Sequence, residues 1–117
     1  MKLIGIYFSA HWCPPCRQFT PVLIETYNEV NKDGKVFEVI FLSSDHDQAQ
    51  FDGYYGAMPW IAVPFGDQRK ADLSKQFGVT GIPKFIVMKP DGTIVDVNAR
   101  NAVASKGPQA IEEYIGA

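Results

Sequence analysis

Leu3-Ile4-Gly5-Ile6-Tyr7-Phe8-Ser9-Ala10-His11-Trp12-Cys13-Pro14-Pro15-Cys16-Arg17 joins an apolar run to two closely spaced cysteines. Leu3 to Phe8 is a continuous apolar run with little alternation, the pattern of a strand covered on both faces. Beyond the cysteines, Phe19, Val22, Leu23, Thr26, Tyr27 and Val30 recur at helical spacing. Pro14 and Pro15 fall in the first turn, where an N–H would have no intrahelical acceptor. Cys13 therefore stands where a buried strand gives way to a helix. Pro21 removes one bond inside that helix and predicts a bend, and Asn31-Lys32-Asp33-Gly34 ends it.

Working outward, Val36 to Leu42 is a second mostly buried strand, closed by Ser43-Ser44-Asp45-His46-Asp47. Strand, helix, strand in that order implies a right-handed parallel crossover. Phe51, Tyr54, Tyr55 and Met58 make a second helical stripe, weakened by Gly53 and Gly56. Asp67 is placed to cap a third helix running through Phe77, with Leu73 and Phe77 inward and Gly78 at its end. Lys84 to Lys89 and Thr93 to Val97 read as strands joined by the tight turn Pro90-Asp91-Gly92, an antiparallel hairpin. A short helix from Pro108 to Ile115 closes the chain. The sum is an α/β sandwich whose mixed parallel and antiparallel sheet of about four strands is flanked by helices.

Composition narrows the function. At 117 residues there is room for one domain, given roughly 100–200 residues per domain. With 46% hydrophobic residues, including 8 Phe, 5 Tyr and 2 Trp, the chain can fill a core. The 11 Lys and Arg nearly balance the 13 Asp and Glu, with no block of like charge, which argues against nucleic acid or a membrane surface as partner. The apolar run after Met1-Lys2 is shorter than the ~7–15 residues of a secretory core, and no stretch approaches the ~18–20 of a membrane span. A soluble cytoplasmic monomer is the expectation. The start on a strand at residue 3 suggests a domain taken from a longer, multidomain chain.

Two cysteines rule out a framework of several disulfides and leave Cys13 and Cys16 as the main chemical clue. The unpaired N–H groups at a helix start favour an anion there, and hence the thiolate of Cys13. Cys16, one turn on, is close enough to attack a mixed disulfide formed at Cys13. Other readings of the pair fit less well. A structural disulfide closing so short a loop gains only ~2 kcal/mol, against ~4.7 for a 100-residue loop. Zinc would need His11 and His46 as further ligands, without the usual paired spacing. Haem attachment needs a histidine where Arg17 stands, and the run before a peroxidatic cysteine fails at Ile6 and Ala10.

The run Tyr7 to Arg17 with Phe19-Thr20-Pro21, then Met58-Pro59-Trp60-Ile61-Ala62-Val63-Pro64-Phe65, then Gly78-Val79-Thr80-Gly81-Ile82-Pro83, resembles thioredoxin-fold proteins of the tryparedoxin and nucleoredoxin type. The blocks occur in order across residues 4–97. The resemblance implies a thioredoxin-like three-layer sandwich in which Cys13 attacks and Cys16 resolves. It implies that Pro83 is a cis-proline beside the cysteines, that Ile82 pairs with an extended substrate, and that Trp12 is an exposed platform. Trp60 shares a block but reads as core or rim. Ordinary thioredoxins carry a buried Asp where this chain has Tyr7, so Cys16 must lose its proton another way. Asp45 is a candidate relay, set against a plainer reading as a solvated loop or helix-cap residue. Ser44-Asp45-His46 stands where tryparedoxins tend to have Trp-Asp-Glu, which weakens the case for a trypanothione-type reductant. Arg17 and Arg100 are candidates to orient a carboxylate of a partner.

The expected function is reduction of protein disulfides by dithiol exchange, with no metal or organic cofactor. The external reductant would be a thioredoxin, glutathione or similar system, and the nucleus joins the cytoplasm as a setting. The alternative is a non-enzymatic binding module whose surface around Trp12 and Pro83 is switched by the thiols.

Overall fold

A computed structural model describes residues 1–116. The chain runs β1 (Leu3–Ser9), α1 (Pro14–Val30), β2 (Phe37–Ser43), α2 (Gln48–Tyr55), β3 (Ile61–Ala62), α3 (Gln68–Gln76), β4 (Lys84–Met88), β5 (Ile94–Asp96), α4 (Ala99–Lys106) and α5 (Pro108–Gly116). The sheet order is β3-β2-β1-β4-β5. β1 lies parallel to β2 in register from Leu3↔Phe37 to Ser9↔Ser43, and antiparallel to β4. The β4–β5 hairpin is antiparallel, so the sheet is mixed.

The sheet has five strands rather than about four. The extra strand, β3, pairs Ile40↔Ile61 and Phe41↔Ala62 with β2 and is too short to leave a periodic signal. A second correction is α4, whose inward stripe is only Ala99, Ala102 and Val103, too slight to mark a helix in advance. Met58 lies beyond α2, in the turn after Gly56, although its side chain is buried. Pro21 sits inside a helix that runs unbroken from Pro14 to Val30.

Side-chain parity sorts the core. On β1, Leu3 and Tyr7 face a large cluster with Phe37, Val39, Phe41, Phe85 and Val87, covered by α1, α4 and α5. Ile6 and Phe8 face the opposite way, with Leu42 and Ile86, beneath Leu73 and Phe77 from α3 and its C-cap. Asp67 caps α3 as expected, accepting from the Arg69 N–H at 2.8 Å. Gly5 is required where it stands: a Cβ there would come within 2.5 Å of the Phe85 ring. Because β1 and β4 are antiparallel with Phe8 opposite Lys84, the loop entering β4 lies beside the C-terminal end of β1. That juxtaposition builds the site.

Candidate active site

The end of β1 turns tightly, the Cys13 N–H donating to the Ala10 carbonyl at 3.3 Å, and Cys13 becomes the N-cap of α1. Its Sγ accepts from the Cys16 N–H at 3.4 Å, so the sulfur itself fills the capping role that a side-chain oxygen usually holds. Pro14 and Pro15 occupy the next two positions, where no N–H is needed. The loop before β4 supplies the facing wall. The Ile82–Pro83 peptide bond is cis, and the Cys13 thiol points to the Ile82 carbonyl at 3.9 Å.

Trp12 is 46% exposed beside this mouth. Its Nε1 donates to the Ser44 carbonyl at 2.9 Å and its indole stacks on His46 with 5.4 Å between ring centroids. A groove of about 340 Å³ lies between Trp12 and the Val79–Ile82 segment, with Lys70 on its rim. Asp45 is buried, which corrects its plainer reading as a solvated or capping residue. The cap of α2 is Asp47, accepting from the Gln50 N–H at 2.8 Å. The Asp45 carboxylate instead accepts from the His11 N–H at 2.7 Å and from the Ser43 hydroxyl. It clasps the loop that carries Trp12, and its hydrogen bonds reach neither cysteine.

Cys16 has different surroundings. It is 0% exposed, against 5% for Cys13. Burial first, and then the hydrogen bond to Cys13, push its thiol up to about 11, while hydrogen bonds from Ser9 and the Ala10 backbone pull the other way. Around it lies a chain of buried hydroxyls. Thr20, one turn along α1, donates to the Cys16 carbonyl at 2.9 Å. Thr20 also meets Tyr7 and Tyr54, each at 2.6 Å, and Tyr54 meets Ser9 at 2.8 Å. Burial holds both phenols above their ordinary range, so they are neutral here.

The sequence profile of the thioredoxin-like family matches residues 1–94. The chain belongs to the thioredoxin-like family. Tryparedoxin from Trypanosoma brucei superposes with a TM-score of 0.86 at 44% identity, over 97% of this chain and 79% of that one. Probable nucleoredoxin 1 of Arabidopsis thaliana is 53% identical over 109 residues, 93% of this chain and 19% of the relative. The nucleoredoxin of Mus musculus is 45% identical over 98 residues, 83% of this chain and 22% of the relative. The chain spans about a fifth of the length of these curated relatives.

Within this thioredoxin-like fold, a cysteine pair at the strand-to-helix junction is suited to dithiol–disulfide exchange. The structure brings Trp12, Cys13, Cys16, Ile82 and Pro83 together and sets Asp45 behind Trp12. His11 and His46 pack on Tyr54 and Trp12, and no cluster of three metal-ligating side chains occurs among the described residues. Trp60 is core, edge-on to Tyr7 and Tyr27. Arg17 is exposed, while Arg100 borders a shallow groove with Pro83 and Asn98. Ser9, Thr20 and Tyr54 went unremarked in the sequence as polar neighbours of Cys16. Two signals pointed to them: Ser9 shares the parity of Tyr7 on β1, and Thr20 lies four residues after Cys16 on one helix face.

Proposed function

We propose that this domain reduces protein disulfides, Cys13 attacking the substrate disulfide and Cys16 resolving the mixed disulfide. The observation that carries the reading is the asymmetry of the pair. The residue at the helix N-cap is the more accessible of the two and its thiol points to the Ile82 carbonyl, while its partner is fully enclosed one turn below. An attacking thiol needs access and a favoured thiolate; a resolving thiol needs only to reach its neighbour. Trp12, Ile82 and Pro83 form the surface for the substrate, an exposed aromatic on one side of Cys13 and free backbone on the other.

The cycle uses no metal or organic cofactor and is restored by an external dithiol or glutathione-type reductant. Similarity to nucleoredoxins and tryparedoxin supports an oxidoreductase of this group, working as a monomer on disulfide-containing proteins in the cytoplasm and nucleus. Because the nucleoredoxins it matches are several times longer, we read residues 1–117 as one unit of a multidomain protein. The test is turnover of a disulfide-bonded protein such as insulin with dithiothreitol as reductant. Cys13→Ser is expected to fall to the uncatalysed rate. Wild-type turnover in Cys13→Ser would overturn the assignment. A stoichiometric complex with no repeated reduction by the wild type would make the domain a redox-switched binding module instead.

A further inference from the structure

The basic side chains of this domain divide by burial. Of the 11 Lys and Arg residues, only Lys70, Lys84 and Arg100 are half-buried, and the rest are exposed. The cations that pair with a carboxylate, Lys32, Lys35, Arg69 and Lys106, all belong to the exposed set. The half-buried three have no ion-pair partner among the described residues, and all three line grooves bordering the loop before β4. Withdrawing a cation from water with no acid beside it is unfavourable, so their gathering at the mouth points to an anion that comes from outside.

Lys70 has the more telling surroundings. It and Ser74, one turn further along the same face of α3, both line the groove of about 340 Å³ between Trp12 and Ile82. No carboxylate lines that groove. Asp67, three residues before Lys70, is held by Arg69 through two hydrogen bonds of 2.9 Å each. Asp72 lines a different groove, against β3, and Asp45 is buried behind Trp12 with the His11 N–H and the Ser43 hydroxyl as its donors. The groove also reaches the chemistry, because Ile82, which lines it, presents its carbonyl to the Cys13 thiol.

We propose that Lys70 is a specificity-determining residue, its ammonium receiving the carboxylate of an Asp or Glu that flanks the substrate cysteine, with the Ser74 hydroxyl as a second donor. The proposal rests on the exchange reading above and names the substrate class: protein disulfides with an acidic neighbour. A substrate cysteine held at Cys13 lays one flank of its chain along the groove. An acidic flank meets a cation with no competing acid, and a basic flank meets a like charge. The chain as a whole carries a formal charge of −2, so the preference belongs to the groove and opposes the overall field.

The test uses disulfide-linked dimers of a short peptide that differ only in the residue beside the cysteine, Glu, Gln or Lys, placed on the N-terminal or the C-terminal flank. The reading is kcat/KM with dithiothreitol as reductant. Flanking charge also alters the peptide's own reactivity, and this cancels when one protein is compared with another on the same peptides. On at least one flank the Glu-to-Gln ratio is about threefold higher for the wild type than for Lys70→Gln, the size of a surface ion pair. Lys70→Arg keeps most of that preference, and Lys70→Glu shifts it toward the Lys peptide. The difference between wild type and Lys70→Gln fades as the Debye length falls from ~10 Å at 0.1 M salt to ~3 Å at 1 M.

Equal Glu-to-Gln ratios for wild type and Lys70→Gln on both flanks would overturn the proposal, as would a difference that 1 M salt leaves intact. Failure of the exchange reading looks different: Cys13→Ser would then reduce all of these peptides at the wild-type rate.

Discussion

Cys13 and Cys16 stand one turn apart on the same helix, yet the chain surrounds them with different materials. At Cys13 the partners are backbone: the Cys16 amide, the Ala10 carbonyl and the Ile82 carbonyl across a cleft. The nearby loop is held by one buried carboxylate, Asp45. At Cys16 the Thr20 and Tyr7 hydroxyls donate to its carbonyl and join an enclosed chain with Tyr54 and Ser9, drawn from β1, α1 and α2. One motif thus yields two unlike thiols. Backbone at a helix terminus offers fixed dipoles toward an anion, whereas a hydroxyl can rotate to donate or accept.

Removing the clasp should break the Cys13 side most severely. Asp45→Ala leaves the His11 N–H and the Ser43 hydroxyl without their acceptor in a buried place, and costs about 1–3 kcal/mol. Urea unfolding should show a lower midpoint with an unchanged slope, and Asp45→Asn, which keeps one acceptor oxygen, should recover most of the loss. An unchanged midpoint in Asp45→Ala would mean that the clasp holds nothing.

A smaller effect sharpens the Cys16 side. The Tyr7 hydroxyl meets Thr20 at 2.6 Å and donates to the Cys16 carbonyl at 3.4 Å, and Tyr7→Phe removes both contacts while leaving those of Ser9, Tyr54 and Thr20 in place. It should cost about 1 kcal/mol of stability while changing the resolution rate by less than about twofold. A large kinetic effect from Tyr7→Phe would show that the Tyr7 hydroxyl itself acts in the resolving step.

The fold was legible where its signals were strong. The uninterrupted apolar runs of β1 and β2, the prolines after Cys13 and the turn at Pro90-Asp91-Gly92 each carry a local physical cause, and each element stands where that cause puts it. β3 was hidden because two residues held by β2 have no period of their own, and α4 because alanines make a weak stripe. The mouth was legible through a continuous motif. The pocket was not, since Ser9, Thr20 and Tyr54 lie on three elements and meet only when β1, α1 and α2 pack. Asp45 and Asp47 show the same limit: both suit a cap by composition, and only the fold turns one inward.

The central claim is that Cys13 carries the substrate and Cys16 releases it. Its most direct test is mass spectrometry of Cys16→Ser after incubation with a disulfide-bonded protein. A stable mixed disulfide is expected on Cys13, one that dithiothreitol removes and that the wild type does not accumulate. Absence of any adduct on Cys13, with the protein folded and reduced, would contradict it.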